Sequence, residues 1–441
     1  MDNLKTRRLA ASQTVSYVER TLLSVSGVFV VINLIALSLV RGFRAGDVLL
    51  VVLWAAAGVF GVWALERRLP ERDPLLFPLA MFLTGWGLVV IDRLSDGYIY
   101  NFAFRQTLWM LLGVVVMLVF AIRPEPLRWL REYRYIILLL GLLLLVSTIL
   151  FGTNPSGTAG APQLWLGLGR IYFQPSEVLK IVLVGFLASY LAEQYPALRA
   201  EGVQLGEGGN SSFSPRIVGP VVLMWLLSMI VLVWQRDLGT ATLFFGVFVV
   251  LLYVASSNGW VVIGGGLLTV VAGIAAYILF GVVRLRVDIW INPWAQADGG
   301  AYQIVQSLLA FASGGVFGRG IGQGVPTYIP VVHSDFVFAA IGEEFGLLGV
   351  IVVVACILIM VMRGLRIAVL QRERPFQALM AVGLSMILAL QSLLIMGGTL
   401  RVLPLTGVTL PFVSYGGSSL LTSFMILGLL LRLSGERRVT V

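Results

Sequence analysis

Glu177 and Lys180 stand three residues apart in Gln174-Pro175-Ser176-Glu177-Val178-Leu179-Lys180, at the head of an apolar stretch. At that spacing a carboxylate and an ammonium share one helix face. An ionisable side chain at the centre of a spanning helix costs ~2.5–3.5 kcal/mol on insertion scales, so each needs a partner or an aqueous cavity. Two readings stand: a packing pair near the membrane interface, or a cation and an anion lining a substrate cavity. His333-Ser334-Asp335-Phe336 precedes a second apolar stretch, and Gly342-Glu343-Glu344 follows within it. A helix beginning near Asp335 would carry Glu343 ~12 Å deeper and turn it about 80° from Asp335, with Glu344 about 180° away. Asp335 and Glu343 can then look into one cavity while Glu344 faces another helix. An aspartate in that place can accept a proton from a reacting hydroxyl, or it can simply cap free backbone N–H groups. His333 reads as a loop residue rather than a catalyst.

Other polar segments are less specific. Gly314-Gly315-Val316-Phe317-Gly318-Arg319-Gly320-Ile321-Gly322-Gln323-Gly324 carries six glycines in eleven residues. No strand precedes it, which excludes a nucleotide loop; a backbone nest for a phosphate, assisted by Arg319, and a flexible hinge are the two readings. Trp234-Gln235-Arg236-Asp237 makes a short turn with charges of both signs, an ion pair first and a site second. Near the C-terminus, residues 403–419 place two prolines and three glycines at the head of the last apolar stretch. Broken helices at membrane depth are tolerated where protein or water surrounds them, so this segment, with Ser414 and Ser418, is expected to line a cavity.

The elements that must hold these residues are helices in a bilayer. Of 441 residues, 58 % are hydrophobic and 12 % charged, and mean hydropathy is +0.94. Soluble chains carry roughly 25 % charged residues. Twelve apolar blocks are long enough to span: 21–40, 46–65, 75–94, 104–122, 135–151, 175–194, 216–234, 239–256, 259–282, 335–362, 376–400 and 411–431. Each is close to the length an α-helix needs to cross ~30 Å of hydrocarbon. Strand alternation is absent, so the fold class is all-α, a polytopic membrane protein rather than a β-barrel, and the N-terminus reads as an uncleaved first span. With both termini inside, twenty of the 31 Lys and Arg fall inside and ten outside, Lys180 lying within a span, which favours N-in, C-in. One cysteine and one histidine exclude an intramolecular disulfide and a multi-histidine metal centre. The net charge of +9 is explained by orientation, so no nucleic-acid partner is expected. Two outside loops are long, 152–174 and 283–334, and loops of that length tend to carry function. The second holds an amphipathic stretch, 301–313, with Tyr302, Val305, Leu309 and Ala312 on its expected apolar face, lying along the membrane surface.

Leu-Pro-Phe-Val-Ser-Tyr-Gly-Gly-Ser-Ser (410–419), with Leu-Pro-Leu-Thr-Gly before it, resembles the signature of the SEDS family, which includes RodA and FtsW. Four more stretches match in order: Gln-Pro-Ser-Glu-x-x-Lys (174–180), Asp-Leu-Gly-Thr-Ala (237–241), Tyr-Gln-x-x-Gln-Ser (302–307) and Ser-Asp-Phe-x-Phe-Ala-x-Ile-Gly-Glu-Glu-x-Gly (334–346). The likeness covers about 75–441 and leans to the RodA side. It implies a peptidoglycan glycosyltransferase of the cytoplasmic membrane that polymerises lipid II onto a lipid-linked nascent glycan strand at the outer face. The implied partners are a class B penicillin-binding protein and membrane lipid. The family's catalytic aspartate falls on Asp335, its cavity glutamate and lysine on Glu177 and Lys180, and its loop tryptophan on Trp165; Asp237 carries over with Arg236 where proline is common. The family core has ten spans, so residues 1–70 read as a two-span extension on a core of 71–441. A leaving pyrophosphate needs positive charge; Lys180 is the first candidate, with Arg105, Arg319, Arg401 or a divalent cation (Mg2+ or Mn2+) behind it. A flippase of a lipid-linked precursor and a non-catalytic scaffold are the competing readings.

Overall fold

The computed structural model describes residues 2–95, 102–154, 163–169, 171–206, 237–436 and isolated positions within 222–233. Most of the expected span 216–234, and Trp234 to Arg236 of the turn after it, lie outside the described residues. Among the described residues, eleven helices are long and apolar enough to cross a membrane, which is the multi-pass architecture expected. Apolar runs become helices because a bilayer offers backbone groups no water, and a helix satisfies them internally.

The chain divides into two compact units. The first comprises Met1–Pro124, Leu285–Arg363 and Gln391–Val441, the second Glu125–Arg284 and Gly364–Leu390. In the first, α1 (Asp2–Arg41) and α2 (Ala45–Arg68) pack with α3 (Leu76–Leu94) and α4 (Phe102–Ile122). The second holds α5 (Glu125–Glu132), α6 (Arg134–Phe151), a small antiparallel sheet, α7 (Pro175–Gly206), α8 (Leu238–Ser256) and α9 (Trp260–Leu279). The sheet runs β1 (Gly152–Thr153), β2 (Trp165–Leu168), β3 (Ile171–Phe173), with Thr153 opposite Trp165 and Gly167 opposite Tyr172. It occupies the loop 152–174, where hydropathy showed only a connection, because strands this short carry no readable alternation.

After α10 (Gly281–Ile291) the chain forms α11 (Tyr302–Gly314), a glycine-rich strap over 315–325, and α12 (Val337–Leu370), then α13 (Pro375–Thr399) and α14 (Gly417–Gly435). The α4 and α14 helices meet closely through small residues. A methyl group on Gly113 would come within 2.5 Å of the Phe424 ring, and one on Gly428 within 2.5 Å of the Met117 carbonyl oxygen, the close approach that membrane helices use in place of a hydrophobic driving force. The amphipathic helix α11 forms where expected. Ile304, Val305, Ser307 and Ala310 are buried, whereas Leu309 and Ala312 are exposed. On the buried side Ser307 Oγ donates to the Thr399 carbonyl at 3.0 Å, a polar contact that hydropathy does not register.

The tenth expected span is broken at Gly346, whose φ of 67° and ψ of −164° interrupt α12. A regular helix would bond the N–H groups of Leu347 and Leu348 to the carbonyls of Glu343 and Glu344. Here Leu347 N–H donates to Gly315 O (2.9 Å) and Leu348 N–H to Val316 O (3.2 Å), while Arg319 N–H donates to Glu343 O (2.9 Å) and Gly320 N–H to Glu344 O (3.0 Å). Two helix bonds are opened and all four groups are satisfied by the strap. This is how backbone outside a regular helix survives at membrane depth. Gly346→Ala is expected to cost about 1–3 kcal/mol, because that backbone region is essentially restricted to glycine and a Cβ would run into the strap's backbone at Val316 and Gly318. A lowered thermal midpoint in detergent, with faster proteolysis of the strap, is the expected readout.

Candidate functional site

Asp335 lies in a turn rather than at a helix start. The helix begins at Val337, so the angular relation that put Asp335 and Glu343 into one cavity does not hold. The turn is fastened from the C-terminal segment. Ser414 Oγ donates to Ser334 O at 2.7 Å and accepts the N–H of Leu410 at 2.9 Å, and Tyr415 N–H donates to His333 O at 2.8 Å. Gln106 on α4 holds that segment in turn, its Nε2 donating to Ser414 O (3.0 Å) and its Oε1 accepting Gly416 N–H (3.2 Å). The His333 ring stacks on Phe102 with centroids 4.5 Å apart and meets Tyr415 edge-on. Burial lowers its imidazole to about 4, so at neutral pH it is an uncharged anchor, in keeping with its reading as a loop residue. Ser418, in the first turn of α14, is buried.

The Asp335 carboxylate accepts a hydrogen bond from Ser334 Oγ at 2.8 Å. Burial pushes it up to about 6, against the Ser334 hydroxyl and the Arg286 guanidinium, which both lower it. Arg286 on α10 also donates to Thr406 O at 3.4 Å. The sequence reading counted Arg286 only for orientation, and nothing in its neighbours marks it; Gln106 and Ser334 were likewise missed as holders of the aspartate. Arg105 sits near the Tyr415 hydroxyl, where its charge opposes the upward shift that burial imposes.

Glu343 and Glu344 serve the strap. Glu343 Oε1 accepts Val325 N–H at 3.0 Å. Glu344 accepts Gly322 N–H at 3.1 Å and pairs with Arg93 of α3 at 3.2 Å, so it does face another helix. The phosphate-nest reading of the glycine segment is thereby corrected: the N–H groups of Arg319, Gly320, Gly322 and Val325 already donate to α12. The Arg319 guanidinium donates to Ser313 O at 3.4 Å.

Arg401 is committed to holding α10. Its Nε donates to Trp290 O (2.8 Å) and Nη2 to Ile291 O (2.7 Å), with Trp290 Nε1 donating back to Arg401 O (3.1 Å). A cation on the last carbonyls of a helix is electrostatically well placed. These residues, with Leu308 and Leu400, line an open cavity of about 440 Å³.

In the second unit, Lys180 Nζ donates to Glu177 Oε1 at 2.7 Å, with Lys180 1 % and Glu177 6 % exposed. The pair anticipated from spacing therefore forms. Asp237 caps α8 through Thr240 N–H (3.2 Å) and accepts Ser176 Oγ (3.3 Å). Burial raises its carboxyl, while Thr240 and the Lys180 charge lower it. One ammonium thus faces two carboxylates. Trp165 is half-buried on β2, its carbonyl accepting Thr153 Oγ1 at 3.2 Å. Among the described residues no three His, Cys, Asp or Glu side chains converge to hold a metal ion.

A multi-pass α-helical membrane protein whose broken helices and polar turns are tied around a half-buried aspartate is the class defined by this geometry. The model of the FtsW, RodA and SpoVE cell cycle protein family matches residues 74–439. The peptidoglycan glycosyltransferase RodA of Mycobacterium tuberculosis is 40 % identical over 385 residues, covering 85 % of this chain and 81 % of that protein. RodA of Mycobacterium leprae is 37 % identical over 382 residues, with 85 % and 80 % covered. The probable peptidoglycan glycosyltransferase FtsW of Geobacter metallireducens is 33 % identical over 390, with 85 % and 97 % covered. Among solved structures, a chain from work on the structural coordination of polymerization and crosslinking by a peptidoglycan synthase complex superposes with a TM-score of 0.68 at 25 % identity, covering 83 % of this chain and 99 % of that one. Thermus thermophilus rod shape determining protein RodA gives 0.58 at 24 %, with 83 % and 97 % covered, a likeness of fold. The chain belongs to the FtsW/RodA/SpoVE family, and its identities lean to RodA.

Proposed function

We propose that this protein is a peptidoglycan glycosyltransferase of the cytoplasmic membrane that polymerises lipid II at the outer face, on the RodA side of its family and with a class B penicillin-binding protein as partner. The observation that carries the reading is Asp335, a carboxylate raised to about 6 and held in a turn by Ser334 with Arg286 beside it. A sugar hydroxyl is a poor nucleophile at neutral pH, and a carboxylate poised near 6 is a competent general base there. The 4-hydroxyl of the acceptor's N-acetylglucosamine loses its proton to Asp335, its oxygen bonds to the donor's anomeric carbon, and the bond from that carbon to the lipid pyrophosphate breaks with its electron pair leaving on the pyrophosphate, inverting the centre. Developing negative charge on the leaving group needs a cation. Arg286 is the candidate favoured by its place beside Asp335, ahead of Lys180, whose charge is already matched by Glu177. Trp165, Glu177 and Asp237 remain substrate-cavity candidates of the second unit on the strength of the family resemblance, and residues 1–70 an extension of the family core.

The test supplies purified protein, alone and with a class B penicillin-binding protein, with lipid II in detergent. Glycan polymer is the expected product. Failure to polymerise combined with lipid II movement across vesicles would make the protein a flippase, and neither activity would make it a scaffold. Because the base is competent only when ionised, the rate should rise about ten-fold from pH 5 to pH 7 and level above that. A rate that falls over that interval would remove a raised carboxylate from the base's role.

A further inference from the structure

The two helices that precede the family match, α1 and α2, are tied to the segment leading to Asp335. Arg41, at the C-terminal end of α1, donates to Asp47 Oδ1 at 2.7 Å and pairs with Asp92 near the end of α3. Its side chain is only 8 % exposed. The next residue after Asp92 is Arg93, which donates to Glu344 at 3.2 Å and to the Gly324 carbonyl at 3.1 Å. Glu344 in turn accepts Gly322 N–H. A second set of contacts reaches the same place without charges. Leu37 and Val40 of α1 lie over Gly322, where an added methyl group would stand 3.3 and 3.2 Å from them. Deeper along α1, Phe29 packs on Trp86 with centroids 5.0 Å apart and on Phe345 at 6.4 Å, the residue just before the break at Gly346. The strap at Gly322 is therefore held on one side by α12 and on the other by α1, nine residues before the turn that opens at Val331.

We propose that α1 and α2 act as a clamp that fixes the glycine strap and through it the placement of Asp335, with Arg41 as the positioning residue. The strap needs such a hold. Its glycines have few steric restraints of their own, and part of its bonding is to a broken stretch of α12. A charge network with one side chain bonded to two carboxylates is costly to bury unless it fixes a geometry, and here the fixed geometry ends on the strap. The proposal rests on the glycosyltransferase reading for its kinetic arm, and on hydrogen exchange for an arm independent of activity.

The experiment compares Arg41→Gln, Arg41→Lys and Leu37→Ala in the full-length protein by lipid II polymerisation kinetics and by amide hydrogen exchange over 319–325. Misplacing a catalytic group by a change far from the chemistry costs kcat more than KM, so Arg41→Gln should lower kcat about ten-fold or more while KM for lipid II stays within about two-fold. Exchange of the Gly322 and Val325 amides should accelerate, and Arg41→Lys should recover most of both. Leu37→Ala leaves the ion pairs intact and should move both readouts in the same direction, which keeps the test alive if Arg41→Gln does not fold. Arg20→Gln, which removes the exposed Arg20–Glu66 pair between α1 and α2, should move neither. An unchanged kcat, or a lowered kcat with unchanged exchange in the strap, would overturn the clamp. If the wild-type protein makes no polymer, the glycosyltransferase reading fails by itself, and unchanged exchange in the variants is then what overturns the clamp.

Discussion

Asp335→Asn should abolish strand synthesis from purified lipid II, a loss of at least about 100-fold for removal of a general base, while the protein stays folded. The substitution keeps the shape of the side chain and its capacity to accept from Ser334 Oγ, and it removes the one property that the chemistry requires, a carboxylate able to take a proton. Arg286 keeps its bond to Thr406 O and is only half-buried, so its charge is not stranded when the carboxylate is lost. The thermal midpoint in detergent should therefore move little. Polymer yield from the variant within a few-fold of wild type would take Asp335 out of the mechanism. Loss of activity accompanied by loss of fold would be uninformative, so the midpoint is measured on the same preparation.

The second large effect concerns stability. Lys180→Met should destabilise the protein by about 3–5 kcal/mol, the usual result of removing one partner from a buried ion pair. Glu177 would lose its cation in a site 6 % exposed, beside Asp237, whose carboxyl is raised by burial and by the Glu177 charge. The double variant Glu177→Gln/Lys180→Met should recover most of that loss, since replacing both charges removes the uncompensated one. Thermal midpoints of the two single variants and the double provide the cycle. Equal losses in Lys180→Met and the double variant would show that the two charges are not coupled. If the double variant folds and still makes no polymer, the pair has a role in substrate handling beyond the packing that its geometry already explains.

Much of this arrangement could be read from residue types. The scarcity of charge located the spans, and the i,i+3 spacing of Glu177 and Lys180 announced a pair that the structure then closes at 2.7 Å. The amphipathic pattern of 301–313 placed α11 to within a residue. What went unread has a common physical origin. The break at Gly346 is one glycine among the 49 of the chain, and nothing local distinguishes a glycine that must adopt positive φ from one that packs. The burial of Ser307 on α11 follows from a hydrogen bond to a carbonyl 92 residues away, which no local pattern shows. The glycine strap resembled an anion nest because its backbone N–H groups were counted as available, when Glu343 and Glu344 had already claimed two of them and their carbonyls two more.

By itself the sequence determined that this protein spans a membrane many times, that most of its Lys and Arg serve to set orientation, and that a small number of carboxylates sit where a bilayer would not tolerate them unsupported. These are properties of composition and period, summed over windows of some twenty residues, and they survive without knowing what touches what. Only the tertiary structure decided which polar groups are free for chemistry and which are spent on holding the fold. Arg401, Glu343 and Glu344 are spent, whereas Asp335, with Arg286 beside it, is held by a short turn bonded to the C-terminal segment. That division depends on distances of a few ångströms between residues far apart in the chain. Hydrogen bonds and ion pairs act only over that range, so no local pattern encodes it.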